Sequence, residues 1–220
     1  MRFLPRVAAG LTLSLLAACA TPPAGPDPAL LTVVARLPQS LDGFELQESI
    51  PNPRGTEPNH TWRARYVHRA SGSMAQVLIG PPQVPPLPDG PDSPAVRDVT
   101  NLLALAAQAG AGGGGLTRVP DFGVGAPGRP RELRCSDLRL QAPGGNTPVT
   151  RMMSCTTGVE GGLVSVGLFT RHGAEQADVA RLFLVSFALQ VTRVLRGTEA
   201  PPPPAAAPDE APDSTRIFRL

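Results

Sequence analysis

The chain has 220 residues, with 20 basic and 18 acidic side chains, and every basic residue is Arg. Its net charge of +2 comes from Arg2 and Arg6 in the first segment, so the rest is balanced and gives no reason to expect nucleic-acid binding. One Trp, one Tyr and seven Phe are too few for a surface that stacks bases or sugars.

The first eighteen residues have the pattern of an export signal. Arg2 and Arg6 precede an apolar run from Val7 to Leu16, and small residues come directly before Cys19. Because a helix needs roughly twenty apolar residues to cross a membrane, this run of ten is too short for a permanent anchor.

The residues Leu16-Ala17-Ala18-Cys19 resemble the lipobox of bacterial lipoproteins. The resemblance implies that residues 1–18 are cleaved off and that Cys19 receives a diacylglycerol, which attaches the protein to a membrane. The next residue is Ala20, not the Asp that retains such proteins in the inner membrane, so the resemblance implies the periplasmic leaflet of the outer membrane in a Gram-negative cell. The alternative is a Cys placed by chance at an ordinary cleavage site.

Composition divides the mature chain into three parts. Residues 19–29 are a Pro-rich tether, residues 30–196 suit a single domain, and residues 197–220 are rich in Pro and Ala and predict a disordered tail. Ile217 and Phe218 are the only large apolar side chains within that tail before its last residue.

The first half of the domain predicts strands followed by a helix. After a short apolar element at Leu30–Ala35, apolar residues alternate with Arg from Trp62 to His68, as in a strand, and Met74–Ile79 predicts its hairpin partner. Ser93 is the expected N-cap of a helix that ends near Gly110 and whose apolar side is formed by Val96, Val99, Leu103 and Ala106.

The second half predicts four strands and a closing helix. The strands are expected at Leu116–Phe122, Arg131–Gln141, Val149–Val159 and Leu163–Thr170, and the helix from about Glu175 to Arg196. That helix is apolar on most of its circumference and should lie deep against the sheet. The order β-β-β-α-β-β-β-β-α predicts an α+β fold, an antiparallel sheet packed by two helices.

The domain resembles the Mog1/PsbP-like fold, which includes lipoproteins of the DcrB type. The resemblance rests on the element order, the entry Leu37-Pro-x-x-Leu41-x-Gly43-Phe44, the strand from Trp62 to Tyr66 and the long closing helix. It implies a binding or assembly module and carries over no active site.

Cys135 and Cys155 lie symmetrically about the turn-forming sequence Pro143–Pro148, which predicts that they face each other across a hairpin. A disulfide should then form in the oxidising periplasm, the alternative being two buried free thiols. Leu138 and Leu140 have the opposite parity to Cys135, so we expect a bulge near Ser136-Asp137, which would strain the bond if it lay inside the hairpin.

Other candidate sites carry weaker signals. His60, His68 and His172 have no metal-ligand spacing, no G-x-S-x-G motif frames a Ser, and no cofactor motif is present. Arg129, Arg131, Arg134 and Arg139 form a candidate anion-binding cluster, for phosphate or an anionic lipid headgroup, or simply a solvated strand face. The sequence therefore predicts a non-enzymatic envelope lipoprotein that binds or assembles a partner, such as an envelope protein, with a periplasmic hydrolase as the alternative.

Overall fold

The computed structural model of the protein describes residues 25–52, 61–110, 116–126, 128–140 and 149–200. Cys19 with the rest of the lipobox, the 143–148 turn and the tail from residue 201 lie outside these ranges. In chain order the elements are α1 (Pro28–Val34), β1 (Ser40–Leu41), β2 (Phe44–Pro51), β3 (Trp62–His68), β4 (Ser73–Ile79), α2 (Pro94–Gly110), β5 (Leu116–Val124), β6 (Leu133–Leu140), β7 (Val149–Val159), β8 (Gly162–His172) and α3 (Ala177–Leu195).

The domain begins with a helix. Asp27 caps α1 by accepting a hydrogen bond from the Ala29 amide at 2.8 Å, and Pro28 occupies the first turn, where its missing N–H is not needed. Leu30 and Val33 are buried. The expected order of elements began with a strand and was wrong here. The helix α1 and the two-residue strand β1 precede the first long strand.

All eight strands form one antiparallel sheet in the order β1-β2-β3-β4-β8-β7-β6-β5. The first four strands are one meander, the last four are another, and the pairing of β4 with β8 joins them. An α+β fold with an antiparallel sheet is therefore confirmed, and the described residues form three α-helices instead of the two expected.

Helices cover both faces of this sheet. On the face packed by α1 and α3, which we call the α3 face, apolar side chains from eight elements form the main core: Leu30, Phe44, Tyr66, Val77, Cys135, Met153, Val166, Phe187 and Val191. Helix α2 lies on the opposite face, the α2 face, over β6 and β7. Residues of either parity in these two strands are consequently buried.

The expected bulge near Ser136-Asp137 does not lie in the β6–β7 hairpin. The β6–β7 register runs without a shift from Arg134 opposite Thr156 to Leu140 opposite Thr150. An irregularity lies on the other side of β6, where the β5 register shifts between Val119, opposite Asp137, and Phe122, opposite Cys135. Leu138 is buried on the α2 face, while Cys135 is buried on the α3 face. Because side chains alternate across a strand, two covered faces explain the change of parity that one covered face did not.

Helix α2 begins where the sequence predicted. The Ser93 hydroxyl accepts a hydrogen bond from the Val96 amide at 3.2 Å, as an N-cap does. Its buried side differs from the prediction, because Val96, Thr100 and Ala104 are the residues that are almost completely buried. Small residues in contact with the sheet let the helix approach closely, and Leu102 is left 64% exposed.

Helix α3 is buried mainly in its second half. Leu184, Phe187 and Val191 are inaccessible to solvent, whereas Val179 is 70% exposed and Leu182 is 71% exposed. The expectation that the whole helix lies deep was therefore wrong for its first two turns. Within the described ranges, no helix is both long and apolar enough to span a bilayer.

Candidate functional site

A groove crosses the α2 face along one row of small and polar residues. Strand pairing places Ser136 opposite Ser154, Ser154 opposite Gly167, Gly167 opposite Gln76, and Gln76 opposite Arg65. These five residues form the floor of the groove, which spans β6, β7, β8, β4 and β3. Since neighbouring strands are about 4.8 Å apart, the floor is roughly 19 Å long.

Larger side chains on the adjacent rows form the walls of the groove. One wall is the continuous row Leu138, Met152, Phe169 and Met74, which is apolar throughout. The opposite wall includes Ser165 and Leu78, and Leu103, Ala104 and Ala107 of α2 cover the end over β6 and β7. The enclosed cavity has a volume of about 410 Å³ and remains open over β4 and β3.

The glycine in the floor gives the groove its depth. A Cβ atom built on Gly167 would have the Gln76 carbonyl oxygen, at 3.8 Å, as its nearest neighbour, which is ordinary van der Waals distance. The backbone of Gly167 is not in the left-handed region, so neither backbone conformation nor crowding requires glycine. Its effect is to leave the middle of the floor without a side chain.

The covered end of the floor carries hydroxyl groups. The Oγ atoms of Ser136 and Ser154 are buried and have no hydrogen-bond partner among the described residues. Ser165 is satisfied, because its hydroxyl lies 3.3 Å from that of Thr156. A hydroxyl buried without a partner costs about 1–3 kcal/mol, so this end of the groove is not optimised for stability alone.

The open end of the groove is positively charged. Arg65 lines the cavity, and its side chain is 54% exposed, with Nε at 4.0 Å from Oε2 of Glu48. The same Glu48 oxygen accepts a hydrogen bond from Nη2 of Arg63 at 3.1 Å. Two guanidinium groups therefore share one carboxylate, and this arrangement retains a net positive charge.

The four Arg residues proposed as an anion-binding cluster do not share one site. Arg131 and Arg134 line a depression together with Asp92 and Asp121, and Nη2 of Arg134 lies 3.5 Å from Oδ2 of Asp121. Arg129 and Arg131 border a second depression that also contains acidic residues. Arg139 lies apart from them, at 3.5 Å from the buried carboxylate of Asp137.

A buried ion pair lies beneath the first turn of α3, and sequence reasoning missed it. Arg151 and Asp137 are both inaccessible, with Nε at 3.2 Å from Oδ1, and Arg151 also donates to the carbonyl of Ala177 at the start of α3. Burial lowers the pKa of the Arg151 guanidinium, and Asp137 opposes that effect. The sequence signal that could have revealed this pair was parity. Both residues lie on the strand face that carries the core residues of β6 and β7.

A second ion pair holds the end of α3 against the sheet. Arg193 binds Glu132 through two hydrogen bonds, Nε to Oε2 at 2.9 Å and Nη2 to Oε1 at 2.6 Å. Arg196 contacts the same carboxylate at 3.9 Å. The pKa of Glu132 lies below its ordinary value, mainly because of the Arg193 hydrogen bond.

Cys135 and Cys155 are directly opposite each other in the β6–β7 register, as predicted. Their sulfur atoms are at disulfide distance, 2.06 Å, and their Cα atoms are 4.1 Å apart. Both residues belong to the core on the α3 face, so the bond fastens the sheet beneath α3 and takes no part in the groove.

A hydrolytic constellation is not formed by the described residues. Nδ1 of His68 lies 2.8 Å from the Ser71 hydroxyl, but this contact closes the β3–β4 turn, and no carboxylate pairs with His68 among the described residues. A Cβ on Gly43 would come within 2.7 Å of its Nε2, so that nitrogen faces backbone. Nor does the part of the chain that is described contain three His, Cys, Asp or Glu residues grouped as metal ligands.

The groove is therefore the feature of this fold best suited to holding a ligand: it is elongated, mostly apolar, closed at one end by α2 and positively charged at the other. Comparison with known proteins adds no candidate, since no family model, curated protein or solved structure matches this chain.

Proposed function

We propose that this protein is a lipid-anchored, non-enzymatic binding protein of the bacterial envelope, and that the groove on its α2 face holds an apolar ligand. The lipobox at Leu16–Cys19 supports the anchor, with the outer membrane as the destination that Ala20 favours. The domain is then an instance of the Mog1/PsbP-like fold, supported by the antiparallel sheet and the long closing helix.

The observation that carries the binding role is the apolar wall of the groove, which α2 covers at one end only. Phe169, Met152 and Met74 form a continuous row, and Met74 remains 41% exposed. Contiguous apolar surface that solvent reaches is typical of ligand-binding grooves. Concave, mostly apolar sites of a few hundred Å³ with few polar groups are typical of small-molecule binding. Methionine suits such a wall because its unbranched side chain adapts to the ligand.

The binding role is tested with N-phenyl-1-naphthylamine, a neutral apolar dye that fluoresces when it leaves water. The protein used is the chain from residue 19 onward with Cys19→Ser, so that no attached lipid competes. We expect saturable binding, lost in Gly167→Val because two methyl groups then occupy the floor. Thr150→Val is the control, since it also introduces Val into a strand of this sheet, β7, but at a residue that does not line the cavity.

Equal dye binding by wild type and Gly167→Val would exclude the groove as the site. The absence of saturable binding in both proteins would exclude the proposed function itself.

The anchor is tested separately in cells. Cys19→Ser in the full precursor should abolish incorporation of a fatty-acid analogue and leave the signal segment uncleaved. Labelling that is unchanged by this substitution would refute lipidation at Cys19.

A further inference from the structure

We propose that the occupant of the groove is a single long-chain carboxylate, with its tail under α2 and its head group at Arg65. This inference rests on the proposed function, because it names the ligand class of the same groove. The width of the groove, its length and the distribution of its charges support this ligand class.

The groove accommodates one chain and not two. Its floor is a single row of residues, and the rows on either side carry the walls, including Phe169 and Met74 on one side and Leu78 on the other. Successive residues on one face of a strand are about 6.6–6.8 Å apart, so the walls enclose one extended hydrocarbon chain. A floor of roughly 19 Å, four strand spacings, matches a chain of the palmitoyl class.

Charge fixes the nature of the head group. Arg65 lines the open end, and the only carboxylate bonded to it among the described residues, Glu48, is shared with Arg63. Arg presents a planar set of donors that suits a carboxylate. A ligand anion at the open end would complete the second ion pair, whereas a cationic head group would meet two guanidinium groups.

The covered end of the groove decides which way the ligand lies. Ser136 and Ser154 offer neutral hydroxyls in a buried environment, and an ionised carboxylate buried there without a cation would lose most of its hydration energy. At Arg65 the same carboxylate keeps contact with water and gains a cation. The covered end therefore receives the methyl end of the chain, next to Ala104 and Ala107.

The experiment is displacement of the bound naphthylamine dye by palmitate, by hexadecanol and by hexadecyltrimethylammonium, each kept below its micelle concentration. We expect palmitate to be the strongest competitor and the cation the weakest. Arg65→Gln should weaken the binding of palmitate by about fivefold, as expected for a half-exposed ion pair. It should leave the binding of hexadecanol unchanged. Arg69→Gln is the matched control, because Arg69 pairs with Glu45 and does not line the cavity.

Three outcomes would overturn this inference while leaving the proposed function intact. One is equal competition by all three compounds with no effect of Arg65→Gln. The second is loss of palmitate binding in Ser136→Ala with Ser154→Ala, because the head group would then lie at the covered end; in our proposal these changes preserve or tighten binding. The third is palmitate binding that is seen in the double variant Ile217→Ser with Phe218→Ser and not in the wild type. That result would make the protein's own C-terminal tail the occupant of the groove.

Discussion

Replacing Gly167 by Val should raise stability while it removes binding, and the opposite signs make the substitution informative. Glycine in a strand interior is less stable than alanine by about 0.5–1 kcal/mol, because the unfolded chain loses more freedom on folding. The nearest atom to a Cβ at this position is 3.8 Å away, so the Cβ introduces no clash that would cancel the gain.

The two methyl groups of Val add a second contribution. Each buried carbon is worth about 0.8 kcal/mol, and both would lie in a groove that is open at one end, so we assign about half of the full value, roughly 1 kcal/mol in total. Together with the backbone effect, unfolding should require about 1–2 kcal/mol more free energy. For a domain of this size the melting temperature should rise by roughly 3–6 °C.

Thermal unfolding followed by circular dichroism measures the first effect, and dye titration measures the second on the same samples. A fall in melting temperature would show that the fold needs the space above Gly167, and it would refute the predicted gain in stability. A rise in melting temperature with unchanged dye affinity would place the ligand elsewhere on the protein.

Three further variants test contacts on the α3 side of the sheet. Asp137→Ala leaves the buried Arg151 guanidinium without its carboxylate and should destabilise the domain by about 3–5 kcal/mol in urea unfolding; a loss below 1 kcal/mol would contradict a buried charge there. Glu132→Gln should destabilise at neutral pH by roughly 1–2 kcal/mol. Because the pKa of Glu132 is lowered in the folded state, its contribution is complete above the ordinary Glu value of about 4.3 and is lost as pH falls further, so the difference between wild type and variant should vanish in acid; a constant difference down to pH 2 would refute it. Replacing Cys135 and Cys155 by Ala should lower stability by about 2–4 kcal/mol, and thiols that alkylate freely in protein taken from the periplasm would exclude the bond.

Local sequence patterns predicted most elements correctly because the signals are local. The N-cap at Ser93 and the strand Val149–Val159 agree with the structure, as does the Cys135–Cys155 register. Each of these predictions depended on residues within one turn or one hairpin, where the chemistry of the neighbours decides the conformation.

The errors arose where a second covering layer changes the meaning of a pattern. A buried strand covered on both sides carries apolar residues of either parity. The parity of Leu138 predicted a bulge, whereas in the structure Leu138 faces α2. The same covering placed Asp137 and Arg151 in the interior, where the abundance of Arg throughout the chain gave no reason to single out an ion pair.

The groove was beyond sequence reasoning for a different reason. Its floor consists of Ser136, Ser154, Gly167, Gln76 and Arg65, which come from five strands in both meanders. No local pattern marks these residues, and Gly167 matters through the side chain that it lacks. Only the register of every intervening strand pair brings them into one row.

The pairing of β4 with β8 also has a consequence for how the chain reaches its native state. Each meander is built from local hairpins, but this one pairing joins segments separated by α2 and three strands. Contacts between distant segments slow folding, because the loop between them must close before they contribute. Until β8 arrives, β4 presents an unpaired edge of the kind that recruits other chains. The interval between the formation of the two meanders and their joining is therefore when a newly made chain is most vulnerable to aggregation.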